Sequence, residues 1–260
     1  MRHKPKKSLG QNFLIDGNIQ RKLIAACKLR AQDTVLEIGS GEGQLTQAIA
    51  AQVKSLDAFE IDAGLCKILR AKLYGYPNLE IFNQDILKFK IKRHYTKVIG
   101  NIPYYITTPI IEHLLEYRNK IDAIFLTVQK EFSARITAAA GSKNYGALSC
   151  FIQYFTQAKN LFFIKKTCFF PRPKVDSSFL RLEVRKTPAV KVKDEEMFFQ
   201  IIRGAFNKRR KTLRNSLAGI IPQERLKAFF QAYGIDENIR PEKLTLENFA
   251  NLAKNAYLER

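Results

Sequence analysis

Residues 34–50 read TVLEIGSGEGQLTQAIA. The run Thr34–Ile38 is apolar and β-branched and reads as a strand. Gly39, Gly41 and Gly43 then fall within one short turn, and the apolar spacing beyond them is helical. Glycine tolerates the left-handed backbone of a tight turn and lets a ligand approach the main chain closely. The spacing is G-x-G-x-G, not the G-x-G-x-x-G of dinucleotide binders, and the turn lacks the Lys–Ser/Thr pair of a P-loop. By itself such a turn is equally a plain strand-to-helix connection.

The pattern repeats along the chain. Ser55–Ile61, Leu79–Asn83, Lys97–Gly100 and Ala123–Val128 read as further strands, with helical spacing over residues 43–53, 64–73 and 109–117. Strands alternating with helices imply parallel pairing and an α/β doubly wound sheet. Two later runs, Asn160–Ile164 and Ser178–Val184, flank the Pro-rich CFFPRPKVDS and are expected to pair as an antiparallel hairpin. After Arg185 the texture changes: KTPAVKVKDEE reads as a linker, and helical patterns follow over 195–206, 222–233 and 246–258. The expected division is a catalytic domain over residues 1–186 and a small helical domain over 187–260.

Chemistry gathers at the strand ends. The second strand closes on Glu60-Ile61-Asp62, at the distance where an acid reaches a ribose diol in such folds, and the third on Asn83-Gln84-Asp85, where a carboxylate can accept from an adenine amine. Each acid alone is equally a helix cap; Gly, Glu and Asp on three consecutive strand ends form a set. With no phosphate-gripping turn, the set suits an adenosine cofactor without pyrophosphate, such as S-adenosylmethionine. The fourth strand ends in Asn101-Ile102-Pro103-Tyr104. An adenine amine is a poor nucleophile because its lone pair is delocalised into the ring. Acceptors at the Asn101 side chain and the Ile102 carbonyl would favour a pyramidal nitrogen, with Pro103 fixing the turn and Tyr104 stacking on the base. A capped strand end with a core tyrosine is the bland alternative, and Tyr105 has no evident role.

Charge points to the partner. The 260 residues carry 44 Lys and Arg against 24 Asp and Glu, a net charge of +20. The excess lies in acid-free runs: Arg203–Arg214 with six basic residues, Lys159–Lys174 with five and Lys88–Lys97 with five. Together they indicate a polyanion, nucleic acid ahead of membrane. No apolar run approaches the roughly 20 residues of a membrane span, and the basic N-terminus lacks a signal-peptide core, so a cytoplasmic protein is expected. Four cysteines at 27, 66, 150 and 168 and three histidines are poor material for a metal site or disulfides.

LEIGSGEG, FEID, NQD and NIPY, in that order, resemble the ribosomal RNA adenine dimethyltransferases. KKSLGQNFL at residues 6–14, TVQKEFSARI at 127–136, FFPRPKVDSS at 169–178 and AFNKRRKTLRNSL at 205–217 extend the resemblance over nearly the whole chain, closest to the bacterial small-subunit branch. The resemblance implies a Rossmann-like, S-adenosylmethionine-dependent methyltransferase sheet with a helical RNA-binding tail. It implies dimethylation of two adjacent adenosines in a hairpin near the 3′ end of 16S rRNA within a pre-30S particle, by a monomer needing no metal. By residue, Gln11, Asn12 and Leu14 would close over the cofactor, Gly39 and Gly41 line it, Glu60 hold its ribose hydroxyls and Asp85 its adenine amine, with Ile61 and Ile86 also against the cofactor. Asn101 would sit between cofactor and target, and Phe169 would face Tyr104 across the flipped-out base. Arg209, Arg210, Lys211 and Arg214 would contact RNA. Ile102 and Asn12 depart mildly from the commonest family residues. Alternatives are the branch that methylates 23S rRNA and confers antibiotic resistance, a DNA adenine methyltransferase, and a non-catalytic RNA-binding assembly factor.

Overall fold

A computed structural model describes residues 4–208 and 211–256. The chain divides into two compact units, one of Met1–Ser133 with Gln157–Lys186, the other of Ala134–Thr156 with Thr187–Arg260. The second unit takes residues 134–156 as well as those from Thr187 onward.

In chain order the first elements are β1 (Phe13–Leu14), α1 (Gly17–Cys27), β2 (Thr34–Ile38), α2 (Gln44–Ala50), β3 (Ser55–Glu60), α3 (Ala63–Lys72), β4 (Leu79–Asn83), β5 (Tyr95–Asn101), α4 (Thr107–Glu116) and β6 (Ile121–Gln129). There follow α5 (Lys130–Ile136), α6 (Ala147–Phe155), β7 (Thr156–Ile164), β8 (Phe169–Phe170) and β9 (Ser177–Val184). Seven strands form one sheet in the order β4-β3-β2-β5-β6-β9-β7. β4, β3, β2, β5 and β6 run parallel, while β9 is antiparallel to β6, with Gln129 opposite Ser177. β7 and β9 are neighbours, as the flanking of the Pro-rich segment suggested.

The central strands are apolar on both faces because crossover helices cover both. Val35, Leu36, Leu56, Ala58, Val98, Ile124 and Leu126 have essentially no exposure. Burying each larger aliphatic side chain contributes roughly 1.5–3 kcal/mol. Asp16 caps α1, accepting from the backbone N–H groups of Asn18 (2.9 Å) and Ile19 (3.1 Å); Asp62 caps α3 through Gly64 at 2.9 Å. Strand order reverses between β2 and β5. In such sheets a crevice opens outside the carboxyl ends of those strands.

The other unit adds α7 (Glu195–Phe206), α8 (Leu213–Ser216), α9 (Gln223–Tyr233) and α10 (Leu246–Ala256). Its core is Phe198, Ile201, Ile202, Leu226, Phe229, Phe249 and Leu252. Asp194 caps α7 through the Met197 N–H at 3.0 Å. No described helix is long and apolar enough to cross a membrane.

Candidate active site

A cleft with about 850 Å³ of empty space, its open mouth included, lies at the carboxyl ends of β2, β3, β4 and β5. Its first wall is the glycine turn after β2. Gly39, Gly41 and Gly43 have φ of +75°, +56° and +85°, the left-handed region that favours glycine. A Cβ on Gly39 would stand 3.3 Å from the backbone oxygen of Asn101, so a side chain there would press on β5 in addition to its backbone strain.

Glu60 closes β3 with 6% exposure. Its Oε2 accepts from the Gly41 N–H and its Oε1 from the Asp62 N–H, both at 2.9 Å. Burial raises its carboxyl above the ordinary range, and the hydrogen bonds from the Asp62 and Gly41 N–H groups oppose the rise. Each carboxylate oxygen keeps a second lone pair, so a fixed acceptor pair faces the cleft. Asn83 braces the same strand end, its Nδ2 donating to the carbonyls of Glu60 (3.0 Å) and Ile61 (3.1 Å). Asp85 uses Oδ1 to accept from the Leu87 N–H at 3.0 Å, and the buried Ile86 lines the cleft next to it in sequence. Ile61 lines the cleft with 52% of its surface exposed.

The N-terminal segment crosses the cleft. Lys6 Nζ donates to Asp62 at 2.9 Å, and Gln11 Nε2 donates to the same carboxylate at 3.3 Å. Burial alone would raise the Asp62 carboxyl; the bonds from Lys6, Gly64 and Gln11 outweigh it and hold the pKa below the usual value. A Cβ on Gly10 (φ +60°) would sit 3.0 Å from the Tyr105 ring and 3.4 Å from Pro103. Tyr105, which sequence left without a role, is therefore the surface on which the segment rests.

Asn101 Nδ2 donates to the Asn12 carbonyl at 3.1 Å. That bond fixes the amide with Oδ1 free as an acceptor. Pro103 has φ −60° and ψ 135°, and Tyr104 opens the short turn that follows. The Tyr104 hydroxyl lies 2.6 Å from the buried Ser177 Oγ, which anchors the ring by its far end.

Gln11, Asn12, Gly39, Gly41, Glu60, Ile61, Asp85, Ile86, Asn101, Ile102, Pro103 and Tyr104 all line this one cleft. Leu14 and Phe169 do not. β1 and β8 pair antiparallel with Leu14 opposite Phe169 and Phe13 opposite Phe170. Alternation along a strand then sends Leu14 and Phe169 into the hydrophobic core, 6% and 3% exposed, and Phe13 to the cleft. Leu14 instead borders a smaller adjoining cavity with Glu37, Ser40 and Asn101. Ser177, the Lys6–Asp62 pair and Phe13 were not singled out from sequence; Ser177 lies inside the quoted FFPRPKVDSS.

Of the basic residues, Arg209 and Arg210 lie outside the described residues. Lys211 is exposed, whereas Arg214 is engaged by Gln223 at 2.8 Å and Glu237 at 3.1 Å. The run 88–97 is partly consumed internally: Arg93 pairs with Asp57, Lys97 with Asp33, and His94 meets Asp122 at 3.0 Å. Among the described residues no group of three or more His, Cys, Asp or Glu side chains is arranged to hold a metal ion.

A parallel-centred sheet with a glycine turn, acids on the next two strand ends and N-I-P-Y on the fourth defines the Rossmann-like methyltransferase class. Two solved structures share it across nearly the whole chain. A dimethyladenosine transferase from Plasmodium falciparum superposes with a TM-score of 0.79 at 26% identity, covering 92% of this chain and 95% of its own. The 23S rRNA methyltransferase ErmE superposes with a TM-score of 0.78 at 28% identity, covering 94% and 98%. The family model described as ribosomal RNA adenine dimethylase matches residues 2–257, and the chain belongs to that family. Its curated relatives include the ribosomal RNA small subunit methyltransferase A of Alkaliphilus oremlandii, 42% identical over 96% of this chain and 91% of the relative. That of a Geobacillus species is 43% identical over 95% and 90%. The chain is a methyltransferase acting on rRNA adenine.

Proposed function

We propose that the protein uses S-adenosylmethionine to dimethylate the exocyclic amine of two adjacent adenosines near the 3′ end of small-subunit (16S) rRNA, acting in the cytoplasm as a monomer on a pre-30S particle. The observation that carries the reading is the convergence of Gly39, Glu60, Asp85, Asn101 and Tyr104 on a single cleft. The donor set suits the cofactor. Glu60 offers an acceptor on each oxygen for two ribose hydroxyls, and Asp85 keeps Oδ2 for an amine. The apolar Ile61 and Ile86 suit the two faces of an adenine. The cofactor supplies an electrophilic methyl group; the chain supplies the alignment.

In the first transfer Asn101 Oδ1 and the Ile102 carbonyl accept the two amine hydrogens, and in the second one of them accepts the hydrogen that remains, which localises the nitrogen lone pair toward the methyl donor. Bound S-adenosylmethionine would supply its methyl group to that nitrogen, whose proton, made acidic by alkylation, would leave to water. No strong base is required. Alignment and preorganised dipoles supply the rate. Tyr104, anchored by Ser177, stacks on the base, a contact worth roughly 1–3 kcal/mol. The helical unit and its exposed Lys211 serve RNA binding, together with Arg209, Arg210 and Arg214.

The small-subunit substrate is favoured over 23S RNA by relatives of 42–43% identity named for the small subunit, against 28% for ErmE. Supplying labelled cofactor with unmethylated small and large ribosomal particles tests it. Dimethyladenosine in the small particle's RNA alone is the expected result; label in the large particle's RNA would assign the other branch.

A further inference from the structure

Two phenylalanine rings stand largely in solvent, outside the lining of the cleft. Phe163 on β7 is 57% exposed and Phe170 on β8 is 58% exposed. Neither position is forced by packing, since Phe162 and Phe169, their sequence neighbours, supply the core contacts.

Both rings connect to the cleft through contacts already described or adjacent to them. Tyr104 bonds Ser177. The neighbouring Asp176 accepts at its carbonyl from the Lys130 N–H at 3.0 Å, and Lys130 Nζ sits 4.9 Å from the centroid of Phe163. On the other flank Phe170 pairs across strands with Phe13, whose ring lines the cleft, and cross-strand partners share a face. The surroundings are basic and acid-free from Lys159 to Lys174. Lys165, Arg172 and Lys174 are exposed there, without an ion-pair partner among the described residues.

We propose that Phe163, with Lys130 over its ring, and Phe170, in the same acid-free run as the exposed Lys165, Arg172 and Lys174, form a stacking platform for the unpaired RNA nucleotides that flank the target adenine. The proposal rests on the reading of RNA adenine as substrate. Extruding a base leaves its neighbours without a stacking partner on that side. Aromatic rings beside cations recover that loss for any base and neutralise the flanking phosphates. An apolar protein partner would be poorly matched by exposed rings set in an acid-free basic run. An anionic single strand matches both features.

The test uses the full chain, labelled S-adenosylmethionine and unmethylated small ribosomal particles. Phe163→Ala and Phe170→Ala, separately, should each raise KM for the particle on the order of tenfold. Turnover at saturating particle and cofactor affinity should stay at wild-type values. Tyr at each position should restore KM, because it keeps the ring; Leu should not, because it keeps only apolar bulk. Unchanged KM in both alanine variants, or full rescue by Leu, would overturn the platform while wild-type transfer leaves the substrate reading intact. Failure of the wild type to methylate RNA adenine would instead overturn the substrate reading itself.

Discussion

Glu37 is a buried acid of β2 with an exposure of 2%, and its Oε2 has no hydrogen-bond partner. Burial drives its pKa from 4.5 to about 7; nearby Thr46 and Ser40 hydroxyls lower it in part, and the charge of Glu60 raises it. The folded chain therefore holds this proton more tightly than the unfolded chain. The associated stability is fully present below about pH 4.5 and is lost as pH rises through 7. A gap of about 2.5 at 1.36 kcal/mol for each pH step amounts to about 3 kcal/mol. Glu37→Gln keeps the shape and removes the titration. Urea unfolding of both proteins, followed by far-ultraviolet circular dichroism at pH 5 and pH 8, isolates the effect as a difference. The variant should gain on the wild type by about 2–3 kcal/mol between the two pH values. A stability difference that is the same at pH 5 and pH 8 would refute the claim that Glu37 is buried without adequate partners.

Three further outcomes are expected. Tyr104→Phe and Ser177→Ala remove the same hydroxyl pair, so each should raise KM for RNA by about 2- to 10-fold and the double variant by little more; full additivity in a double-mutant cycle would show that the two side chains act apart. Gly43→Ala should destabilise the chain by roughly 1–3 kcal/mol in thermal or urea unfolding, because φ is +85° and the new Cβ would meet Leu69 at 2.7 Å. RNA affinity should fall steeply with salt, and neutralising Arg209, Arg210 and Lys211 together should flatten that slope while cofactor titrations stay unchanged; an equal loss of cofactor binding would remove the tail from the RNA interface.

The sheet was legible because parallel strands covered on both faces leave continuous apolar runs, and its acids were legible because they sit where such runs end. Glu60, Asp85 and Asn101 were found in that way. Side-chain direction in very short strands was not. Phe169 and Phe170 are adjacent, and only the pairing of β8 with the distant β1 decides which ring enters the core. Helix α6, ALSCFIQYF, went unread because its N-cap is Gly146, which has no side chain to signal a start; only Ser149 Oγ, accepting from the Gly146 N–H at 3.0 Å, marks it. Charge runs mislead in a related way. Arg93 and Lys97 look like free cations in KFKIKRHYTK, yet Asp57 on β3 and Asp33 just before β2 pair with them. Tyr105 gained its role only once Gly10 was seen against it.

The central claim is that Asn101 Oδ1, held free by the Asn12 carbonyl, receives the target amine beside the methyl donor. A single-turnover experiment tests it most directly: enzyme preloaded with labelled S-adenosylmethionine is mixed with unmethylated small particles, and label in RNA adenine is followed with time. Wild type should transfer its methyl group, and with cofactor saturating Asn101→Ala should slow the step on the order of 100- to 1000-fold while RNA affinity is largely preserved. Transfer by Asn101→Ala at the wild-type rate would contradict the account.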